Sequence, residues 1–112
     1  MKPRSPLLER GSIIYLDFSP RAGHEQASRR PALVVSPSAY NVKVGLALVC
    51  PITSQVKGYP FEVAIPKGQR VQGVVLADQV KSVDWRARDA DIVGQLSPSL
   101  IDEVLARLRA LL

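Results

Sequence analysis

The feature that most constrains the fold is a series of short apolar runs, each ended by proline, glycine or a polar cluster. The runs are rich in β-branched, leucine and aromatic residues, a composition that favours strands. They occupy residues 12–18, 31–36, 45–52, 61–65, 74–77, 79–83 and, more weakly, 92–96. Several short strands separated by turn residues predict a small, mostly antiparallel β domain. Only one helical turn is expected among them, within residues 36–41.

A single long helix is predicted after the last strand. Ser97 is suited to cap its N-terminus, and Pro98 fits the first helical position, where a missing N–H costs no hydrogen bond. The apolar residues that follow fall on one stripe: Ile101, Val104, Leu105, Leu108, Leu111 and Leu112. Because the opposite face carries both signs of charge, we expect this helix to cover the core of the sheet.

The 112 residues suffice for one hydrophobic core, so we expect a single domain over residues 1–112. Cys50 is the only cysteine and His24 the only histidine, which excludes an intramolecular disulfide and leaves too few ligands for a zinc cluster. No metal or other cofactor is expected. The start of the chain lacks the apolar segment of a signal peptide, and no apolar run approaches the ~18 residues of a membrane-spanning helix. We therefore expect a cytoplasmic protein.

The net charge of +5 is unevenly distributed along the chain. The first 60 residues carry the whole excess, and the remaining 52 contain seven residues of each sign. Three arginines fall between Arg21 and Arg30. A solvated surface and a phosphate-binding region are both compatible with this bias.

Two polar segments separate the first strands. The first, residues 19–30, ends in His24, Glu25, Gln26, Ser28, Arg29 and Arg30, and the second, residues 53–60, includes Thr53, Ser54, Gln55 and Lys57. If the strands that precede these segments are neighbours, both segments lie on one rim of the sheet. A carboxylate, an imidazole, guanidinium groups and hydroxyls would then face one concavity.

This set of side chains is suited to RNA cleavage without a metal, because the 2′-hydroxyl of RNA is itself the nucleophile. The protein must remove the 2′ proton, stabilise the charged phosphorane and protonate the leaving 5′ oxygen. Glu25 or His24 could accept the proton, Arg30 could hold two non-bridging oxygens, and Thr53 could donate to the phosphate. Arg30 is a poor candidate for the base, since a guanidinium is almost never deprotonated.

Each candidate also has a purely structural interpretation. Arg30 could be a basic residue at a strand edge, Glu25 a surface carboxylate, and Thr53 the cap of a turn. Trp85 could stack on a base, although packing against the core or a partner is the commoner role of a single tryptophan. Cys50, within an apolar strand, is expected to be a buried small hydrophobic residue.

The ordered set of motifs resembles one known family. The segments are GSIIYLDF at 11–18, GHEQ at 23–26, RPALVVSP at 30–37, YN at 40–41, PITS at 51–54, KGYPFE at 57–62, LADQVKS at 76–82 and WRAR at 85–88. Together they closely resemble the MazF/PemK family of bacterial toxins over nearly the whole chain. The resemblance implies an SH3-like, PemK-type antiparallel β-barrel with a C-terminal helix. It also implies a homodimer.

The activity that the resemblance implies is sequence-specific, metal-independent cleavage of single-stranded mRNA to 2′,3′-cyclic phosphate and 5′-hydroxyl ends. A cognate antitoxin with an acidic, disordered segment is the implied inhibitor. Matched by motif position, Arg30, Thr53 and Glu25 are the expected catalytic residues. The expected RNA-binding residues are His24, Arg29, Ser54, Lys57 and Gln79. His24 departs from many relatives, which have a small polar residue there.

Two other functions stay open at this point. Toxins that poison the topoisomerase gyrase share the implied fold without RNA chemistry, so the fold alone does not decide. They act through a terminal helical patch rather than through an arginine and a threonine in facing loops. A module that binds RNA or antitoxin without catalysis is the third possibility.

Overall fold

The structure is a computed structural model that describes residues 8–17 and 29–112 of the chain. The elements of the described residues are β1 (Ser12–Asp17), β2 (Arg29–Val34), α1 (Ser38–Val44), β3 (Ala47–Thr53), β4 (Glu62–Ala64), β5 (Val74–Leu76), β6 (Lys81–Val83), β7 (Asp91–Gln95) and α2 (Pro98–Arg109). Neither of these helices is long and apolar enough to cross a membrane.

All strand pairs are antiparallel, and β3 is the central strand of the sheet. The path runs β4-β5-β3-β2-β1-β7, with β6 paired to β3 beside it. One edge of β3 pairs with β2, while the other pairs first with β6 and then with β5. Among the described strands the path is open, since β4 and β7 at its ends do not pair. The predicted mainly β fold with a C-terminal helix is confirmed.

The sheet is buried on both faces, which explains why its strands have apolar residues at successive positions. In β2, Leu33 belongs to one core cluster, whereas Ala32 and Val34 belong to the other. The first cluster lies under α2 and the second is covered by Leu8 and Trp85. Side chains alternate between the two faces of a strand, so each cluster takes every second residue.

Helix α1 is longer than the single turn that the sequence predicts. It spans seven residues and ends at Gly45, whose left-handed φ of 83° suits a residue without a Cβ. The extra turn is stabilised by tertiary contacts, because Asn41 in its middle is fully buried. Strand β6 is shorter than predicted, since Gln79 donates its N–H to the Leu76 carbonyl and forms a turn instead.

Helix α2 begins as predicted and ends earlier than its apolar stripe. The Ser97 hydroxyl accepts a hydrogen bond from the Leu100 N–H at 3.4 Å, and Pro98 occupies the first turn. Leu111 and Leu112, the last two residues of the predicted stripe, lie beyond the helix and are exposed.

Candidate active site

Arg30 and Thr53 meet where β2 begins and β3 ends. The register pairs Ala32 with Pro51, so two further residues along each strand place Arg30 beside Thr53. Both residues line a cavity of about 560 Å³. Its other lining residues are Tyr15, Pro31, Ile52, Ser54, Gln55, Arg70, Val71 and Gln72.

Arg30, the last residue of the first polar segment, shares a rim with the second segment as predicted, but by a different route. The strands that precede the two polar segments, β1 and β3, are not neighbours, because β2 lies between them. The first segment leads into β2, and the antiparallel pairing of β2 with β3 brings Arg30 to the end of β3. The sequence correctly groups Arg30 with Thr53, for a reason that only the strand order shows.

The cavity is electrostatically positive. Arg30 and Arg70 both line it, and both side chains are exposed. Within the described part of the chain, neither guanidinium group has a hydrogen-bond or ion-pair partner, and no lining residue is acidic. Thr53 accepts a hydrogen bond from the Gln55 N–H at 3.1 Å, which leaves its hydroxyl proton free to donate. The cavity is thus suited to an anion such as a phosphodiester.

A second, smaller cavity of about 180 Å³ adjoins the first. Thr53 and Gln55 line both cavities, and Lys57 and Gln79 line the second one. The structure therefore brings two predicted RNA-binding residues next to Thr53. Ser54 lines the first cavity.

The walls of the second cavity are fixed by polar contacts. The Glu62 carboxylate accepts hydrogen bonds from the backbone N–H groups of Lys57 and Gly58, at 2.9 and 2.8 Å. The hydroxyl of Tyr59, another lining residue, donates to the Asp78 carboxylate at 2.8 Å. This hydrogen bond raises the pKa of Tyr59.

Arg29 lines neither cavity. Its guanidinium donates to Asp17 and Asp91 at 3.1 and 3.0 Å, and to the backbone carbonyls of Tyr15 and Asp89. These contacts tie β2 to β1 and to β7. The expected contact of Arg29 with RNA stays a prediction.

His24 and Glu25 lie outside the residues that the structure describes. Of the three expected catalytic residues, the structure therefore describes Arg30 and Thr53. In those same residues, no three histidine, cysteine, aspartate or glutamate side chains cluster as metal ligands would.

Three polar side chains that line the first cavity were not identified from the sequence: Tyr15, Arg70 and Gln72. Arg70 and Gln72 flank buried Val71, and this alternation could have indicated two side chains on one face. The sequence holds no local signal that this face meets the end of β3.

Trp85 and Cys50 have the packing roles that the sequence analysis favours for them. Trp85 is half-buried against the second core cluster, its ring N–H donates to the Asn41 carbonyl at 3.2 Å, and Arg86 lies 4.6 Å from the ring centroid. Cys50 is fully buried, and burial raises the pKa of its thiol to about 12. The prediction of a buried small hydrophobic residue is confirmed.

Comparisons with known proteins match this chain over nearly its whole length. The family model of the PemK-like, MazF-like toxins of type II toxin–antitoxin systems matches residues 9–112. The endoribonuclease toxin MazF of Escherichia coli K12 is 49% identical over 102 residues, which cover 91% of each chain. Two crystal structures from Deinococcus radiodurans, MazF and the MazE–MazF complex in Form-II, are each 48% identical. Their TM-scores are 0.85 and 0.89, with 96% of this chain covered in each case and 97% and 96% of those chains.

Proposed function

The chain belongs to the PemK-like, MazF-like toxin family of type II toxin–antitoxin systems, and we propose that it cleaves single-stranded RNA in the cavity that Arg30 and Thr53 line. Its relatives are endoribonuclease toxins, and a MazE chain accompanies MazF in the similar complex. The protein is an endoribonuclease toxin inhibited by an antitoxin. The proposed site is supported chiefly by the β2–β3 register, which brings the Arg30 guanidinium, unpaired within the described residues, and the Thr53 hydroxyl to one cavity of about 560 Å³.

The proposed reaction is attack of the 2′-oxygen on the adjacent phosphorus. The new O2′–P bond closes a 2′,3′-cyclic phosphate, the P–O5′ bond breaks, and the 5′ oxygen leaves as a hydroxyl after protonation. The Arg30 guanidinium donates two parallel hydrogen bonds to the non-bridging oxygens, whose charge grows in the phosphorane. The Thr53 hydroxyl donates a further one. No metal is needed to generate a nucleophile, because the substrate supplies it.

A proton acceptor for the 2′-hydroxyl completes the proposal. The described residues that line the cavity include no carboxylate and no imidazole. A guanidinium group is a poor proton acceptor, so Arg30 is not assigned as the base. Glu25, five residues before Arg30, matches the motif glutamate of the family and is one of the two proton acceptors that the sequence offers, and we assign it the role of base.

The RNA strand is proposed to continue from the first cavity into the second. Thr53 and Gln55 line both, so a nucleotide next to the cleaved bond reaches Lys57 and Gln79 directly. Lys57 is exposed and suited to a backbone phosphate, whereas the Gln79 amide is suited to a base edge. Ser54 offers a further hydroxyl at the rim, and His24 is assigned to RNA binding on sequence grounds alone.

Two features support the partners that the family implies. Several large apolar side chains are exposed around α1, the start of β3 and the turn before β6, a surface that a second copy would cover: Val42, Val44, Leu48 and Val80. The positive cavity would attract an acidic, disordered segment of the antitoxin as well as RNA, so the two would compete. We propose a homodimer that acts on mRNA in the cytoplasm.

The test is incubation of the purified chain with a fluorescent single-stranded RNA pool in excess chelator. A matched pool with 2′-deoxy substitution is the control. Cleavage of the RNA alone, with cyclic phosphate and 5′-hydroxyl ends, is expected. Failure to cleave either pool would contradict the proposal, and a gyrase inhibition assay would then test the rival function.

A further inference from the structure

The connection between β4 and β5, residues 65–73, forms a second wall of the first cavity. Val71 in this connection is 3% exposed and belongs to the first core cluster. Arg70 and Gln72, on either side of it, are exposed and line the cavity. Burial of Val71 therefore directs its two neighbours outward, to the cavity that holds Arg30 and Thr53.

The backbone of this connection lies directly against Thr53. Gly73 has a φ of 120°, and a Cβ there would stand 2.1 Å from the Thr53 carbonyl oxygen. Only glycine permits so close an approach in this conformation. The Ile65 N–H donates to the Gly73 carbonyl at 2.9 Å, which closes the connection at its base.

The other side of the connection is anchored to β7. The Gln69 side-chain amide donates to the Gln95 carbonyl at 3.3 Å, one residue before Arg70. Arg70 is thus held between three attachments: Gln69 on β7, Val71 in the core and Gly73 against Thr53. Its Cα has a defined position relative to Thr53, although its guanidinium is exposed and unpaired within the described residues.

Two guanidinium groups in one cavity exceed what a single phosphodiester needs. One arginine in a bidentate contact satisfies both non-bridging oxygens, and Thr53 adds a third donor. The cavity, at about 560 Å³, lies in the range that encloses a small-molecule ligand and is larger than one phosphate requires. Arg70 therefore has both the charge and the room to hold a second phosphate.

We propose that Arg70 is a substrate-binding residue that holds a backbone phosphate adjacent to the one being cleaved. This inference rests on the proposed function, because it assigns a further subsite to the same RNA. Contact with a phosphate that does not react stabilises the bound RNA and the transition state equally. Loss of Arg70 should therefore raise KM and leave kcat nearly unchanged.

The experiment compares Arg70→Ala with Lys67→Ala in cleavage of a single-stranded RNA pool. Lys67 belongs to the same connection and carries the same charge, but it does not line the cavity. Arg70→Ala is expected to raise KM roughly tenfold, with kcat within about twofold of wild type. It should also lower the slope of log Kd against log salt by about 0.7, the value of one contact on a single strand. Lys67→Ala should change neither KM nor the salt slope, and Arg70→Lys should restore most of the salt slope.

Three outcomes would overturn the inference. A loss of kcat with unchanged KM would mean that Arg70 contacts the reacting phosphate. Equal effects of Arg70→Ala and Lys67→Ala would mean that Arg70 acts only through the overall positive charge of the surface. An unchanged KM and salt slope in Arg70→Ala would remove the subsite altogether. Binding of the uncleavable 2′-deoxy pool is measured in parallel, so the subsite is tested even if the wild-type chain cleaves nothing, a result that would instead contradict the proposed function.

Discussion

The β2–β3 pair has a polar cluster at each end, and the two clusters differ in whether their hydrogen bonds are satisfied. The closed end consists of Ser36, just after β2, and Asn41 of α1, which are 3% and 0% exposed. The open end consists of Arg30 and Thr53, which border solvent in the first cavity. The same two strands thus connect a buried polar cluster to an exposed one.

At the closed end, the polar side-chain atoms are used within the fold. The Asn41 amide donates to the Leu8 and Ser36 carbonyls at 2.7 and 3.1 Å, and its oxygen accepts from the Ser36 hydroxyl. The Ser36 oxygen accepts in turn from the Leu48 N–H at 2.9 Å. A buried polar group without a partner is costly, so such a cluster is stable only when it is complete.

At the open end, the donors are left for a ligand. The Arg30 guanidinium has no partner within the described residues, and the Thr53 hydroxyl proton is free. Water can satisfy these groups until a phosphate replaces it, because neither group is buried. Polar residues at the closed end therefore maintain the fold, whereas those at the open end are available for chemistry.

The largest effect on stability is expected for Asn41→Ala. The substitution leaves the buried Leu8 carbonyl without its donor and the buried Ser36 hydroxyl proton without its acceptor, which should lower the free energy of unfolding by about 3 kcal/mol. Chemical denaturation measures the change. Cleavage per folded molecule should stay close to wild type, and a stability within about 0.5 kcal/mol of wild type would contradict the role of the closed end.

The removal of one hydroxyl group from each end tests the two ends separately. Ser36→Ala should lower the free energy of unfolding by about 2 kcal/mol, because the Leu48 N–H and the Asn41 oxygen each lose a partner. Thr53→Val should lower the cleavage rate at least about tenfold, because it removes a donor to the phosphate. Stability should change little, because the Gln55 N–H that loses its acceptor is exposed to water. Slower cleavage by Ser36→Ala together with a large loss of stability in Thr53→Val would contradict these separate roles of the two ends.

Arg29→Ala tests whether adjacent arginines have separate roles. Its ion pairs with Asp17 and Asp91 involve a guanidinium that is 34% exposed, so solvent screening limits the expected loss of stability to about 1 kcal/mol. The cleavage rate of the folded variant should fall less than that of Arg30→Ala. Equal losses in cleavage would instead assign Arg29 to the RNA interface.

Cys50 lies in β3 between the two ends, and its rate of alkylation shows which end keeps the core around it packed. Burial raises the pKa of its thiol from 9.0 to about 12, which makes the thiolate rarer at neutral pH, so alkylation of the native protein should be slow. Asn41→Ala should accelerate alkylation and Arg30→Ala should not. The pKa shift itself affects stability only above pH 9.0, where the thiol of the unfolded chain ionises while the buried one stays neutral, so stability should fall as pH rises from there.

The sequence predicts those parts of the fold that are encoded locally. The apolar runs mark the strands, and Ser97 and Pro98 mark the start of α2, because strand propensity and helix capping depend on adjacent residues. The length of α1 could not be predicted, since Asn41 is held by Leu8 and Ser36 through tertiary contacts. Arg70 was missed for the same reason, because its place in the cavity follows from the contact of Gly73 with Thr53.

The most direct test of the open end is the single-turnover cleavage of one RNA by wild type and by Arg30→Ala, in excess chelator, with the free energy of unfolding measured on the same samples. We predict that Arg30→Ala cleaves at least about a hundredfold more slowly with an unchanged free energy of unfolding, because it loses the donor to the phosphorane and no contact within the described fold. Cleavage by Arg30→Ala at close to the wild-type rate would contradict the account.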